Sequence, residues 1–111
     1  MFKELGQMAG LLTQLPKIKE EMQKLQQRLG ELSAEGDAGA GMVRVRVNGR
    51  LEMIACEISD EALGDREMLQ DLIRSATNAA LDKMRPQSAA EAGKMAGNLG
   101  LPPGMGLPGM P

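Results

Sequence analysis

The side chains of this sequence that could do chemistry are mostly cations. Two arginines, Arg44 and Arg46, alternate with valines directly before an Asn-Gly pair. Four more cations lie in a stretch rich in Lys, Gln and Glu nearer the N-terminus: Lys17, Lys19, Lys24 and Arg28. Lysine and arginine neutralise the phosphates of nucleic acids and release their counterions. The pattern is consistent with phosphate contact, although such charges more often form a solvated surface with local ion pairs.

The chain lacks the side chains on which most catalytic and metal sites depend. It has no histidine, the commonest general base and metal ligand, and its single cysteine is Cys56. Carboxylates lie beside Lys and Arg, as in Lys19-Glu20-Glu21, and no glycine-rich loop leads from a strand into a helix. We therefore expect no enzyme: no catalytic, cofactor-binding or metal-ligating residue, no cofactor and no small-molecule substrate.

Composition limits the kind of nucleic acid that these cations could bind. Phe2 is the only aromatic residue, so stacking of unpaired bases on aromatic rings is implausible and duplex contact through phosphates is the remaining mode. The net charge of −2 argues mildly against nucleic acid, because binders usually carry a basic excess or a basic face. A chain of 111 residues forms one domain and would gain stability from a partner subunit.

The N-terminal cations belong to a predicted helix over residues 1–34. Apolar residues recur there every three or four positions, at Met8, Leu11, Leu15, Ile18, Met22, Leu25, Leu29 and Leu32. Pro16 predicts a kink or a restart of the helix. The narrow apolar seam favours contact with a second subunit over packing on the chain's own sheet, which stays the alternative. The dimer-interface candidates are Leu15, Ile18, Met22, Leu25 and Leu29.

The two arginines belong to a predicted β-hairpin. Strands are expected over residues 42–48 and 51–58, joined by a type I′ turn at Asn48-Gly49. Alternation places the valines on one face together with Ile54, Cys56 and Ile58, so Cys56 is expected to be a small buried hydrophobe. Residues 35–41 predict a turn-rich connector, with a short strand near residues 31–36 before it.

The C-terminal part divides into a helix and a tail. A short turn begins at Ser59 or Asp60, and Asp65 then caps a helix over residues 66–85 that Pro86 ends. From there the composition turns to Ala, Gly, Met and Pro, which predicts a disordered tail over residues 87–111 and a folded domain over residues 1–86. We find neither a signal peptide nor an apolar run of ~20 residues that could span a membrane, so we expect a cytoplasmic protein.

An ordered set of fragments resembles a known family. The set comprises Met22-Gln23-Lys24-Leu25-Gln26, Gly36–Val45, Val47-Asn48-Gly49, Glu57-Ile58-Ser59, Asp65–Ile73, Asn78-Ala79-Ala80 and Leu101-Pro102-Pro103-Gly104. In this order, over nearly the whole chain, they resemble the YbaB/EbfC family of bacterial nucleoid-associated DNA-binding proteins. One departure is the mostly apolar second hairpin strand, Leu51–Cys56, where family members often carry polar and basic residues.

The resemblance implies both a fold and a function. The expected fold is α+β, an α-β-β-β-α protomer whose small antiparallel sheet is flanked by a long N-terminal helix and a C-terminal helix. Two protomers would form a tweezers-like homodimer that binds duplex DNA and affects nucleoid organisation and gene expression. The DNA-binding candidates are Lys17, Lys19, Lys24, Arg28, Arg44 and Arg46. The alternative is a non-enzymatic protein-interaction module that uses the heptad helix and Met-rich surfaces.

Overall fold

Residues 2–100 form two long helices, one short helix and a three-stranded antiparallel sheet. The computed structural model describes these residues, with side chains for residue 10 and residues 12–100. In chain order the elements are α1 (Phe2–Glu31), β1 (Ser33–Ala38), β2 (Val43–Asn48), β3 (Met53–Ile58), α2 (Asp60–Leu63) and α3 (Arg66–Asn98). The predicted α+β arrangement is confirmed, with α2 as the short turn expected before the second long helix.

The sheet separates the valines of β2 from its arginines. The strand order is β1-β2-β3, so β2 lies in the middle. Val43, Val45 and Val47 are fully buried with Ala76, Ala80 and Met84 of α3, whereas Arg44 and Arg46 are exposed on the other face. The alternation in the sequence therefore predicts correctly which face of the hairpin packs on a helix.

β1 occupies most of the segment that was predicted as a connector. It covers Ser33–Ala38 and pairs along its whole length with β2, leaving only residues 39–42 for the turn. Gly36 is buried against α3, where a Cβ atom would collide with the backbone of Ala76 and Ala80. The glycines of this segment therefore include one that lets a helix approach the strand closely, which turn statistics alone would not indicate.

The reversal from β2 to β3 is not the predicted type I′ turn. The positive φ angle belongs to Leu51, at 63°, and to neither Asn48 nor Gly49. The Leu51 amide donates to the Asn48 carbonyl at 3.0 Å, which closes a loop over residues 49–51. Gly49 has a different role, because a Cβ atom there would lie 2.6 Å from the carbonyl oxygen of Leu29. The hairpin backbone thus packs directly on the end of α1.

β3 departs from the predicted register and burial. A β-bulge follows Arg46, so Met53 and not Ile54 lies opposite Val47. Cys56 does lie opposite Val45, but its side chain is exposed, and its predicted burial is wrong. The reason is that α3 packs mainly on β1 and β2 and leaves the edge strand β3 uncovered.

Both long helices run through a proline. α1 contains Pro16 and α3 contains Pro86, so neither the predicted restart of α1 nor the predicted end at residue 85 occurs. Beyond Pro86, α3 buries Ser88, Ala92 and Met95, and the Ser88 hydroxyl donates to the Gly49 carbonyl at 2.9 Å. These contacts offset the missing backbone hydrogen bond of proline. The predicted tail is therefore wrong for residues 87–98, and residues 101–111 lie outside the described residues.

We expect Pro86→Ala to stabilise the protein. Pro86 is exposed and lies inside a continuous helix, where proline is about 3 kcal/mol less favourable than alanine. The variant should raise the denaturant midpoint at unchanged slope in equilibrium unfolding followed by circular dichroism. A lower midpoint would mean that the helix needs the geometry that proline imposes there.

α1 and α3 pack side by side in opposite directions. Leu25 and Leu29 of α1 are buried with Ala92 and Met95 of α3. The amide of Asn98, the last residue of α3, donates to Glu21 at 3.3 Å. The part of α1 before Glu21 therefore extends past the end of α3 by roughly 28 Å, at 1.5 Å per residue. The radius of gyration, 19.9 Å, reflects this projecting arm, since a compact chain of this size has about 13 Å.

Candidate nucleic-acid interface

Three of the four predicted cations of α1 share one face of the helix. Lys17, Lys24 and Arg28 are spaced by seven and four residues, which brings them onto one stripe. Lys24 and Arg28 line the same recess between α1 and α3. Lys19 lies on another side of α1, where it lines a shallow groove with Leu15 and Met22. The structure therefore groups three of these predicted site residues and separates the fourth.

The recess between α1 and α3 alternates cations with carboxylates. Lys24 Nζ lies 3.4 Å from Glu20 and 3.7 Å from Glu21. Arg28 Nη1 lies 3.6 Å from Glu91 of α3, which also pairs with the neighbouring Lys94 at 3.2 Å. The cations keep more than half of their side-chain surface exposed, whereas Glu21 and Glu91 are largely buried. A polyanion that approached this surface would therefore meet Arg28 and Lys94 before Glu91, whereas Lys24 lies beside the exposed Glu20.

The hairpin arginines are surrounded by carboxylates. Arg46 pairs with Glu35 of β1 at 3.6 Å. Arg44 lies between Asp37 and Glu57 in the strand register. Three carboxylates thus share the exposed face of the sheet with two arginines. Opposite charges placed across strands stabilise a sheet, and here they also weaken the attraction of this face for phosphate.

Three further cations have defined places in the structure: Arg50 and Lys83 stabilise the fold, and Lys94 lines the recess. Arg50 donates through Nε and Nη2 to the Gln26 carbonyl, at 3.2 and 3.0 Å, and so ties the hairpin loop to α1. Lys83 donates to the Glu35 carbonyl at 2.9 Å. Lys94 lies beside Arg28 in the recess. It was not among the predicted site residues, because residue 94 falls in the predicted disordered tail. The alanines and charges around it are a helical signal that could have indicated otherwise.

The predicted dimer interface on α1 divides into two parts. Leu25 and Leu29 are buried against α3 of the same chain, so they pack internally, although on a helix and not on the sheet, and little of their surface is exposed for the predicted subunit contact. Leu15 and Met22 remain exposed, and Ile18 is half-buried. The stripe is covered only as far as α3 extends along it.

A second apolar surface lies on β3 and the loop before it. Leu51, Met53, Ile54 and Ile58 expose between 38% and 53% of their surface. β3 is an edge strand, so one row of its backbone hydrogen-bonding groups has no neighbouring strand within the described residues. An apolar edge of this kind is typical of a protein–protein contact.

Within residues 2–100, no group of three or more Cys, Asp or Glu side chains is placed to share a metal ion. The helices of that range include none with both the length and the apolar character needed to cross a bilayer.

Comparison with known proteins identifies the family. Residues 4–99 match the model of the YbaB/EbfC DNA-binding family, a range that includes the C-terminal half of α3. A nucleoid-associated protein of Pelotomaculum thermopropionicum is 42% identical over 99 residues, which cover 87% of this chain and 94% of that protein. One of Xanthomonas campestris pv. campestris (strain B100) is 39% identical over 103 residues, covering 93% and 97%.

A solved structure has the same fold. The crystal structure of an uncharacterized protein from Helicobacter pylori superposes with a TM-score of 0.65 at 28% identity, covering 85% of this chain and 94% of that one. The family is one of DNA-binding proteins and not a class of enzymes. With the family model spanning both helices and the sheet, this chain belongs to the YbaB/EbfC DNA-binding family of nucleoid-associated proteins.

Proposed function

We propose that this protein binds duplex DNA through phosphate contacts made by Lys17, Lys24 and Arg28 of α1, joined by Lys94 of α3. The observation that carries the proposal is the placement of these cations on one exposed face beside the projecting arm, in a chain of a DNA-binding family. Lys19, Arg44 and Arg46 contribute less. Lys19 lies on another side of α1, and the two arginines are flanked by exposed carboxylates, whereas Glu21 and Glu91 of the recess are largely buried. No cofactor and no reaction are involved.

The contact chemistry favours the DNA backbone over the bases. Lysine and arginine on a helix surface reach phosphates, whereas a single phenylalanine leaves no aromatic platform for unpaired bases. Glu20 and Glu31 on the same helix repel the phosphates that the cations attract. We therefore expect modest affinity, little discrimination between sequences and a location on the nucleoid, where such binding affects its organisation and gene expression.

The functional unit in this proposal is a homodimer. The apolar surface on β3 and its unpaired strand edge support it, because a second copy could cover both. Two arms on one duplex would also raise the affinity, since the second contact forms at a high effective concentration. This arrangement matches the tweezers-like dimer that the family resemblance implies.

Light scattering at micromolar concentration should give twice the 11.9 kDa mass of one chain. Ile54→Glu, which places a charge on the β3 surface, should shift the mass towards that of one chain. Leu15→Glu is the matched variant on α1, and we expect it to leave the dimer intact. A monomer from Leu15→Glu and a dimer from Ile54→Glu would assign the interface to α1 instead.

A titration of duplex DNA at several salt concentrations tests the proposed function directly. The logarithm of the association constant should fall linearly with the logarithm of the salt concentration, with a slope of about −0.9 per phosphate neutralised. Duplexes of different sequence should give similar association constants and similar slopes. Absence of duplex binding even at low salt would contradict the proposal and favour the protein-interaction module, for which the exposed Leu15 and Met22 would provide a surface.

A further inference from the structure

We propose that Glu91 sets how strongly the recess between α1 and α3 binds DNA, because it holds Arg28 and Lys94 in ion pairs with which a phosphate must compete. The inference rests on the proposed function and adds a negative determinant to it. Glu91 lies on α3, in the segment that the sequence analysis assigned to a tail, and it would act against binding while the cations around it act in favour.

Glu91 and Glu21 are the largely buried carboxylates beside the cations of the recess, and Glu91 differs in that it pairs with two cations, whereas Glu21 pairs with Lys24 alone within the described residues. The side chain of Glu91 is only 15% exposed, while Arg28 and Lys94 above it are 58% and 62% exposed. Oε1 lies 3.2 Å from Lys94 Nζ and Oε2 lies 3.6 Å from Arg28 Nη1. Oε2 is buried and accepts no hydrogen bond from any described residue. One largely buried carboxylate thus lies beneath two exposed cations, and its Oε2 can still accept a hydrogen bond.

Packing holds Glu91 in this place. The next residue, Ala92, is buried with Met95 against Leu25 and Leu29 of α1, which fixes the backbone at residue 91 beside Arg28. Glu20, by contrast, is 65% exposed at its pair with Lys24, so its flexible side chain can turn away when a phosphate arrives. Glu91 is largely buried at its pairs with Arg28 and Lys94, so we expect its charge to stay close to these cations when DNA binds.

This arrangement has a thermodynamic consequence for DNA binding. The salt dependence of binding arises from counterions that protein cations release from the phosphates. A cation that already has a fixed carboxylate beside it attracts a phosphate less strongly. Neutralising Glu91 would therefore release as many as two cations on each protomer from their ion pairs. Neutralising a distant carboxylate would change only the net charge.

The test compares Glu91→Gln with Glu61→Gln in duplex titrations at several salt concentrations. Glu61 is exposed on α2 and forms no ion pair within the described residues, so its variant has the same change of net charge without freeing a cation. We expect E91Q to bind several-fold more tightly at low salt, with a slope steeper by about one to two phosphates per protomer. E61Q should stay close to the wild type.

The route of the effect is tested by adding Arg28→Ala and Lys94→Ala together to both proteins. If Glu91 acts through these two cations, the gain from E91Q should shrink in the background that lacks them, which a general charge effect would not do. Circular dichroism checks that the helices persist. Should E91Q fail to fold, Glu91→Asp replaces it, because this variant keeps the charge but withdraws the carboxylate from Arg28, and a smaller gain is expected.

The outcomes separate this inference from the proposed function. A wild-type protein that does not bind duplex DNA at low salt contradicts the proposed function, and the inference with it. A wild-type protein that binds, together with an E91Q variant that matches E61Q, overturns the inference alone. An equal gain from E91Q with and without Arg28 and Lys94 would likewise overturn it, since the effect would then not pass through the cations of the recess.

Discussion

The triple variant Lys17→Ala, Lys24→Ala and Arg28→Ala should lose most of its affinity for duplex DNA at low salt. These residues share the exposed stripe of α1. Each substitution removes about one phosphate contact, which makes the slope of the log–log salt plot shallower by about one. In a dimer both protomers lose these contacts, so we expect a loss of at least about tenfold in affinity at low salt, with the same loss for every duplex sequence. Fluorescence anisotropy with labelled duplexes measures both quantities.

The matched control is the double variant Arg44→Ala and Arg46→Ala on the sheet. It also removes cations from the predicted site, but from a face where Glu35, Asp37 and Glu57 already offset them. We expect a small change in affinity and an unchanged circular dichroism spectrum. A larger loss from this pair than from the α1 triple variant would place the DNA on the sheet and would refute the assignment to α1.

Gly36→Ala should be the most destabilising single methyl addition in the protein. The new Cβ atom would collide with the backbone of Ala76 and Ala80, and backbone cannot move aside as a flexible side chain can. Overpacking of a core typically destabilises by 1–3 kcal/mol, and the rigid neighbours place this site at about 3 kcal/mol or more. Equilibrium denaturation should show a large fall of the midpoint or loss of the cooperative transition.

Gly93→Ala provides the same chemical change in open space. Gly93 lies inside α3, is exposed and has no atom within 4 Å of a Cβ position. Alanine is favoured over glycine in a helix interior by about 1 kcal/mol, so this variant should be more stable than the wild type. If both glycine variants were equally destabilised, the close contact between β1 and α3 could not be the cause.

Local patterns in the sequence determined the identity and the order of the elements. The alternation of valine and arginine in β2 predicts its buried and exposed faces, because side chains alternate across any strand. Asp65 predicts the start of α3, and its side chain does accept a hydrogen bond from the Met68 amide at 3.0 Å. These features depend on neighbours along the chain, and so one sequence suffices to find them.

The apolar side of α1 is a feature whose partner the sequence does not determine. The spacing of Leu15, Met22, Leu25 and Leu29 correctly indicates one apolar side of a helix, but it does not say what covers that side. α3 covers Leu25 and Leu29 and then ends beside Glu21, which leaves Leu15 and Met22 exposed. The length of a distant helix decided this division, and that length depends on how α3 passes Pro86.

The tertiary structure alone decided which glycines and charges matter. Gly49 is required because the hairpin packs on Leu29, and Cys56 is exposed because α3 does not cover β3. Composition after Pro86 favours disorder, yet contacts of Ser88, Ala92 and Met95 with distant residues stabilise the helix and bring Glu91 beneath Arg28. The physical reason is common to all of these cases: each depends on a contact between residues far apart in the chain, whose free energy outweighs the local preference.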